Sequence, residues 1–179
     1  MNNELLISLD LEADGPIPGD YSLLSLGASL IDYPEETFYI EFQPISNKFD
    51  PEALAVSGLD REALKMTGVP AKEAIESFEQ WVNRMLAKYH KDRAVLVILS
   101  TWDMMYVDWY SVHFLGRRFV GFTAIELKSY FMGKHGIALF AKTGRKEMLK
   151  HYPVDTPHTH RADDDALEQG GITRQMFGK

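Results

Sequence analysis

The chain has 179 residues, enough for one domain with a single core, and its 45% hydrophobic, 12% aromatic and 25% charged residues are ordinary for a soluble globular protein. It has no cysteine, which excludes disulfides and thiolate metal sites, and its formal net charge of −7 argues against tight coating of duplex DNA while leaving short or single-stranded substrates open. No apolar run approaches the ~18 residues that span a bilayer and no signal-like segment opens the chain, so an intracellular, soluble, cytoplasmic protein is expected.

Residues 4–10 are an apolar run of strand length ending in a carboxylate, and the Asp-Gly-Pro-Ile-Pro-Gly stretch at 14–19 is a strong loop signal. Strands over 23–31 and 37–42, joined by a turn at 32–36, predict an antiparallel meander with the first. Ile75, Phe78, Val82, Met85, Leu86 and Tyr89 recur at spacings of three and four, so 72–89 reads as a helix with one apolar face. Residues 94–99 are wholly apolar and rich in branched side chains, as a strand buried on both faces requires. The long helix between strands suggests a right-handed crossover. From Trp102-Asp103 a second helical stretch runs to about Leu115, followed by 124–132, a basic segment at 142–150 and a last helix over about 161–176. No repeat or linker breaks this order, which fits one α/β layer domain over 1–179.

Asp10 and Glu12 flank Leu11, and the period-two alternation of a strand directs both carboxylates to one face, where they can share a metal. Asp103 follows the buried strand and reaches the same corner if the first and fourth strands are neighbours; Asp108 is a rival farther from the strand end. His160 stands five residues before Asp165, about a turn and a half of helix, so both face one pocket if His160 precedes the helix. Oxygen ligands without cysteine suit Mg²⁺ or Mn²⁺. Each feature also has a plainer reading. Asp10 and Glu12 can be a solvated strand end and His160 a surface imidazole, while Asp163 and Asp164 favour the positive end of the last helix. Trp102, Tyr106, Trp109 and Tyr110 can stack on bases but stand at the helical spacing of core residues, and Trp81 reads as packing. Lys142, Arg145, Lys146 and Lys150 are either a solvated face or a phosphate track.

Taken in order, Asp10-Leu11-Glu12, Asp103 and His160 to Asp165 resemble the DEDDh branch of the 3′-to-5′ exonucleases, whose signature is Asp-x-Glu, a distant Asp, then His-x-x-x-x-Asp. The likeness extends to the loop after the first motif, to Ser57-Gly58-Leu59 and to the closing Arg161-Ala162-Asp163-Asp164-Asp165-Ala166. It departs at Ser100-Thr101-Trp102, where many relatives carry Asn and Phe, and at Asp163, where an apolar residue is common; neither change removes a ligand. The resemblance implies an α/β fold, a ribonuclease-H-like mixed β-sheet of three antiparallel strands plus parallel strands flanked by α-helices. It also implies release of nucleoside 5′-monophosphates from the 3′ end of short or single-stranded DNA or RNA. In that reading Asp10, Glu12, Asp103 and Asp165 hold two divalent metal ions, Mg²⁺ or Mn²⁺. His160 is the general base, a role suited to imidazole because it titrates near neutrality. Leu11, Gly58, Leu59 and Trp102 are the expected substrate contacts. Many relatives dimerise, so a homodimer is compatible with the resemblance, although no sequence feature decides it. Two other readings stand beside this one: a silent domain that binds nucleic acid or protein, and a phosphodiesterase acting on a small molecule.

Overall fold

A computed structural model describes residues 3–179, and five strands form its centre: β1 (Glu4–Ala13), β2 (Leu23–Leu30), β3 (Thr37–Glu41), β4 (Arg93–Ile98) and β5 (Ile125–Glu126). They form one mixed sheet in the order β3-β2-β1-β4-β5. The first three strands are antiparallel, as the meander predicts, with Ile7 opposite Leu30 and Ser25 opposite Glu41. The fourth returns parallel to the first, with Ser8 opposite Val97, after the crossover through the long helix. The first and fourth strands are therefore neighbours.

The described helices are α1 (Pro51–Ser57), α2 (Arg61–Thr67), α3 (Ala71–Lys88), α4 (Thr101–Leu115), α5 (Leu127–His135), α6 (Arg145–His151) and α7 (Ala162–Phe177). Strand alternation divides them between the two faces of the sheet. Leu5, Ile7, Leu9 and Leu11 of β1 pack with Ile75, Phe78 and Val82 of α3 and with Tyr106 and Tyr110 of α4. Leu6 and Val97 point the other way, into a second core with Leu127, Phe131, Met148, Ile172 and Met176. Each fully buried Leu, Ile or Phe contributes roughly 1.5–3 kcal/mol, so both faces are firmly held. No helix among the described residues is long and apolar enough to cross a membrane.

Two features set α7 on the sheet. Gln169 donates through Nε2 to Ser8 Oγ at 3.0 Å, Leu9 O at 3.2 Å and Val97 O at 2.9 Å, bridging β1 and β4. Gly27 of β2 provides the close approach: a Cβ there would lie 2.1 Å from the Ala162 carbonyl carbon and 2.2 Å from the Asp163 nitrogen. Only the missing side chain lets the first turn of α7 rest on the strand.

The elements depart from the sequence expectations in places. The first strand continues past Asp10 to Ala13, with an irregular register after Glu12. The 124–132 stretch divides into the two-residue β5 and the following α5. Two helices of seven residues, each N-capped by an aspartate, Asp50 and Asp60, fill the segment before α3. Seven residues are too few to show a helical period, so capping rather than apolar spacing marks them.

Candidate active site

Asp10 and Glu12 project from β1 on the α7 side, and the close packing at Gly27 brings Asp165, in the first turn of α7, against them. One ligand atom from each of Asp10, Glu12 and Asp165 lies within 4.8 Å of the others. Asp103 stands at the third position of α4, where a capping box with Ser100 orients it: the Ser100 N–H donates to Asp103 Oδ2 at 3.3 Å. It is buried and its charge acts on both Asp10 and Glu12, although it lies outside the tight trio.

The electrostatics of this corner are unfavourable for the protein alone. Burial, then the charges of Asp103, Glu12, Asp165 and Glu168, push the Asp10 carboxyl well above its ordinary range. Burial, then Asp165 and Asp103, raise Glu12 to about 7. Burial raises Asp103 to about 7 even though the Ser100 N–H and Lys128 oppose it. Crowded, desolvated carboxylates whose burial outweighs the nearby basic groups favour protonation or a bound positive ion. An all-oxygen donor set at these separations fits a hard divalent ion.

Asp165 also organises the loop that carries His160. Asp165 Oδ1 accepts the Thr159 N–H at 3.0 Å and lies 2.9 Å from His158 Nδ1. Thr159 Oγ1 donates to Asp164 Oδ2 at 2.8 Å. The chain turns at His160 with φ of 57°, a left-handed conformation that costs on the order of 1 kcal/mol for a residue with a side chain. The outcome is an exposed imidazole whose ring sits 4.5 Å from that of His158, with a ligand atom from each of His158, His160 and Asp165 within 4.8 Å of the others.

The structure therefore brings Asp10, Glu12, Asp103, Asp165 and His160 to one corner. Leu11 requires a correction. The same alternation that unites its neighbours sends its side chain to the opposite face, into the α3 and α4 core and away from the carboxylates. Trp102 is half-buried, with its Nε1–H donating to Pro16 O at 3.0 Å, so it fastens the loop after β1. Gly58 ends α1 at φ of 66° and Leu59 is half-buried beside it, forming the turn between α1 and α2. Asp108 is held by Arg118. Tyr106 and Tyr110 are core residues whose hydroxyls hold Gly15 O and the Leu23 N–H, each at 2.8 Å. Asp163 pairs with Arg161, which lies over the Tyr39 ring.

Sequence reasoning did not single out His158, Glu168 or Gln169. Glu168 was reachable, because a residue three beyond Asp165 shares its helical face. His158 stands two residues before His160 in irregular chain, where no period indicates direction.

No family model matches the chain. Over 178 residues, 98% of its length, it is 32% identical to the 3'-5' DNA exonuclease Cap18 of Escherichia coli, covering 91% of that protein. The nuclease domain of 3'hExo, a DEDDh family member bound to rAMP, superposes with a TM-score of 0.74 at 15% identity, covering 97% of this chain and 92% of that one. Cell-death related nuclease 4 (CRN-4) gives a TM-score of 0.74 at 20% identity, over 99% of this chain and 66% of that one. E. coli Exonuclease I in complex with a dT13 oligonucleotide gives 0.69 at 10%, over 97% and 41%.

Proposed function

Because the chain belongs to the DEDDh family of 3′-to-5′ exonucleases and is a nuclease hydrolase, we propose that it shortens short or single-stranded DNA from the 3′ end, releasing nucleoside 5′-monophosphates. Asp10, Glu12, Asp103 and Asp165 hold two divalent ions, Mg²⁺ or Mn²⁺, and His160 is the general base. The observation that carries this reading is the convergence of Asp10, Glu12 and Asp165 within 4.8 Å, with His160 equally close to Asp165. Bound there, the ions supply positive charge to the scissile phosphate, to the attacking water and to the departing 3′ oxygen.

The chain's own residues have distinct tasks. Asp10 and Glu12 present carboxylates from a rigid strand, and Asp103 adds a third from a capped helix start. Asp165 both completes the set and, through the Thr159 N–H, fixes the loop that presents His160. An imidazole nitrogen of His160 takes the proton of the attacking water, while its exposed position lets that proton pass to solvent. DNA is the favoured polymer because the relative that is 32% identical is a DNA exonuclease. A purely binding domain gains nothing from desolvated, mutually repelling carboxylates, which speaks for catalysis.

Degradation of 5′-labelled single-stranded DNA and RNA with Mn²⁺, against EDTA and the Asp10→Asn variant, tests the proposal. Stepwise shortening from the 3′ end that needs both metal and Asp10, faster on DNA, is the expected result. Cleavage of a nitrophenyl ester of thymidine monophosphate with no shortening of either strand would replace it with the small-phosphoester reading.

A further inference from the structure

Four basic residues precede the last motif, and the structure treats them differently. Lys150 is paired with Glu147 at 2.6 Å, and Lys142 and Lys146 point to solvent without an ion pair among the described residues. Arg145 is neither free nor spent. Its Nε and Nη2 both bond the carboxylate of Glu168, which is only 4% exposed, while the arginine keeps a quarter of its side-chain surface accessible.

That side-on clamp occupies one edge of the guanidinium. Nη1 has no hydrogen-bond partner among the described residues, so its two N–H groups and the second N–H of Nη2 are available in a fixed plane. Glu168 cancels much of the charge at long range and leaves the short-range donors. A half-buried ion pair of this kind is often no more stabilising than an apolar replacement, so stability alone does not account for it.

Arg145 and His158 line two adjoining spaces. One is the narrow cleft that also touches Asp10, Asp165 and Glu168. The other is an open groove of about 580 Å³ bordered by Gly144, Lys146 and His160. Arg145 thus stands where the acidic corner gives way to the groove. A strand whose scissile phosphate sits among Asp10, Glu12 and Asp165 must place its next phosphate outside that repelling cluster, beside a donor. We infer that the guanidinium of Arg145, positioned by Glu168, binds the phosphate adjacent to the scissile one, with the strand entering along the groove past Lys146. The inference rests on the exonuclease reading. It makes Arg145 a substrate-binding residue and Glu168 a positioning residue.

The test is a cycle between enzyme and substrate, using the full chain with Mn²⁺ on a DNA oligonucleotide whose linkage next to the scissile one is either phosphate or uncharged methylphosphonate. If the contact exists, Arg145→Gln and the methylphosphonate each raise KM about tenfold, a charge-assisted bond's worth, and together raise it no further. Glu168→Gln reproduces part of the rise on the phosphate strand only. Arg145→Lys keeps a positive charge without the fork and gives an intermediate KM; if Arg145→Gln melts below the assay temperature, the cycle is run on the lysine variant. Additive defects, or unchanged KM in either arm, would overturn the contact and leave the pair as a brace between α6 and α7. Failure of the wild-type chain to shorten the unmodified strand is a different outcome: it removes the exonuclease reading and this contact with it.

Discussion

Replacing Asp103 by Asn removes one charge from the acidic corner while keeping an oxygen that accepts the Ser100 N–H of the capping box. The Asp103 carboxyl is raised from its ordinary 3.8 to about 7, with burial as the main cause. A group raised in this way favours the folded state fully below 3.8, and that support is lost as pH rises through about 7. Above pH 7 the metal-free protein bears the cost of the buried charge, on the order of 4 kcal/mol, and that cost falls away as pH drops below 7. For a chain of this size each kcal/mol moves the melting temperature by about 2–4 °C, so Asp103→Asn should melt about 8–16 °C higher than wild type at pH 8 in EDTA. The gap should narrow towards pH 5. Scanning calorimetry with and without millimolar Mn²⁺ is the assay. Mn²⁺ should raise wild type more than the variant, because a ligand bound only by the native state stabilises it. An Asp103→Asn protein that melts at or below the wild-type temperature in EDTA at pH 8 would refute the view that this charge is uncompensated.

His160→Ala should lower the turnover rate about 10²–10⁴-fold while leaving the melting temperature unchanged, and a loss below tenfold would demote the residue from general base. Gly27→Val places atoms where the Ala162 backbone lies, so it should cost about 1–3 kcal/mol in urea unfolding. It should also cut activity about a hundredfold by shifting Asp165; full activity would show that α7 need not touch β2 there. Arg61→Ala leaves buried Asp14, in the loop after β1, with the Ser22 N–H but no counter-ion, an expected loss of about 3–5 kcal/mol. Urea midpoints within error of wild type would mean that water replaces the arginine.

What the sequence made legible follows from strong periods. The alternation through Leu9-Asp10-Leu11-Glu12 told which side chains share a face, and the three- and four-residue spacing from Ile75 to Tyr89 located α3. The crossover was legible, but Asp103 could reach Asp10 only if β1 and β4 were neighbours, a condition that the sheet order supplies and the sequence left open. Short or irregular chain was less legible. The contribution of Gly27 depends on which helix crosses it, information that resides 135 positions away at Ala162. The clamp of Arg145 by Glu168 joins two helices through a loop without a period. Leu11 misled because a residue between two site residues in sequence is on the wrong face of a strand.

The most direct measurement of the central claim is anomalous diffraction from crystals soaked with Mn²⁺ and thymidine 5′-monophosphate. Manganese peaks within coordinating distance of carboxylate oxygens of Asp10, Glu12 and Asp165, with the nucleotide phosphate beside them and near the His160 ring, are the expected result. Peaks elsewhere on the surface, or a nucleotide bound with no metal at this corner, would contradict it.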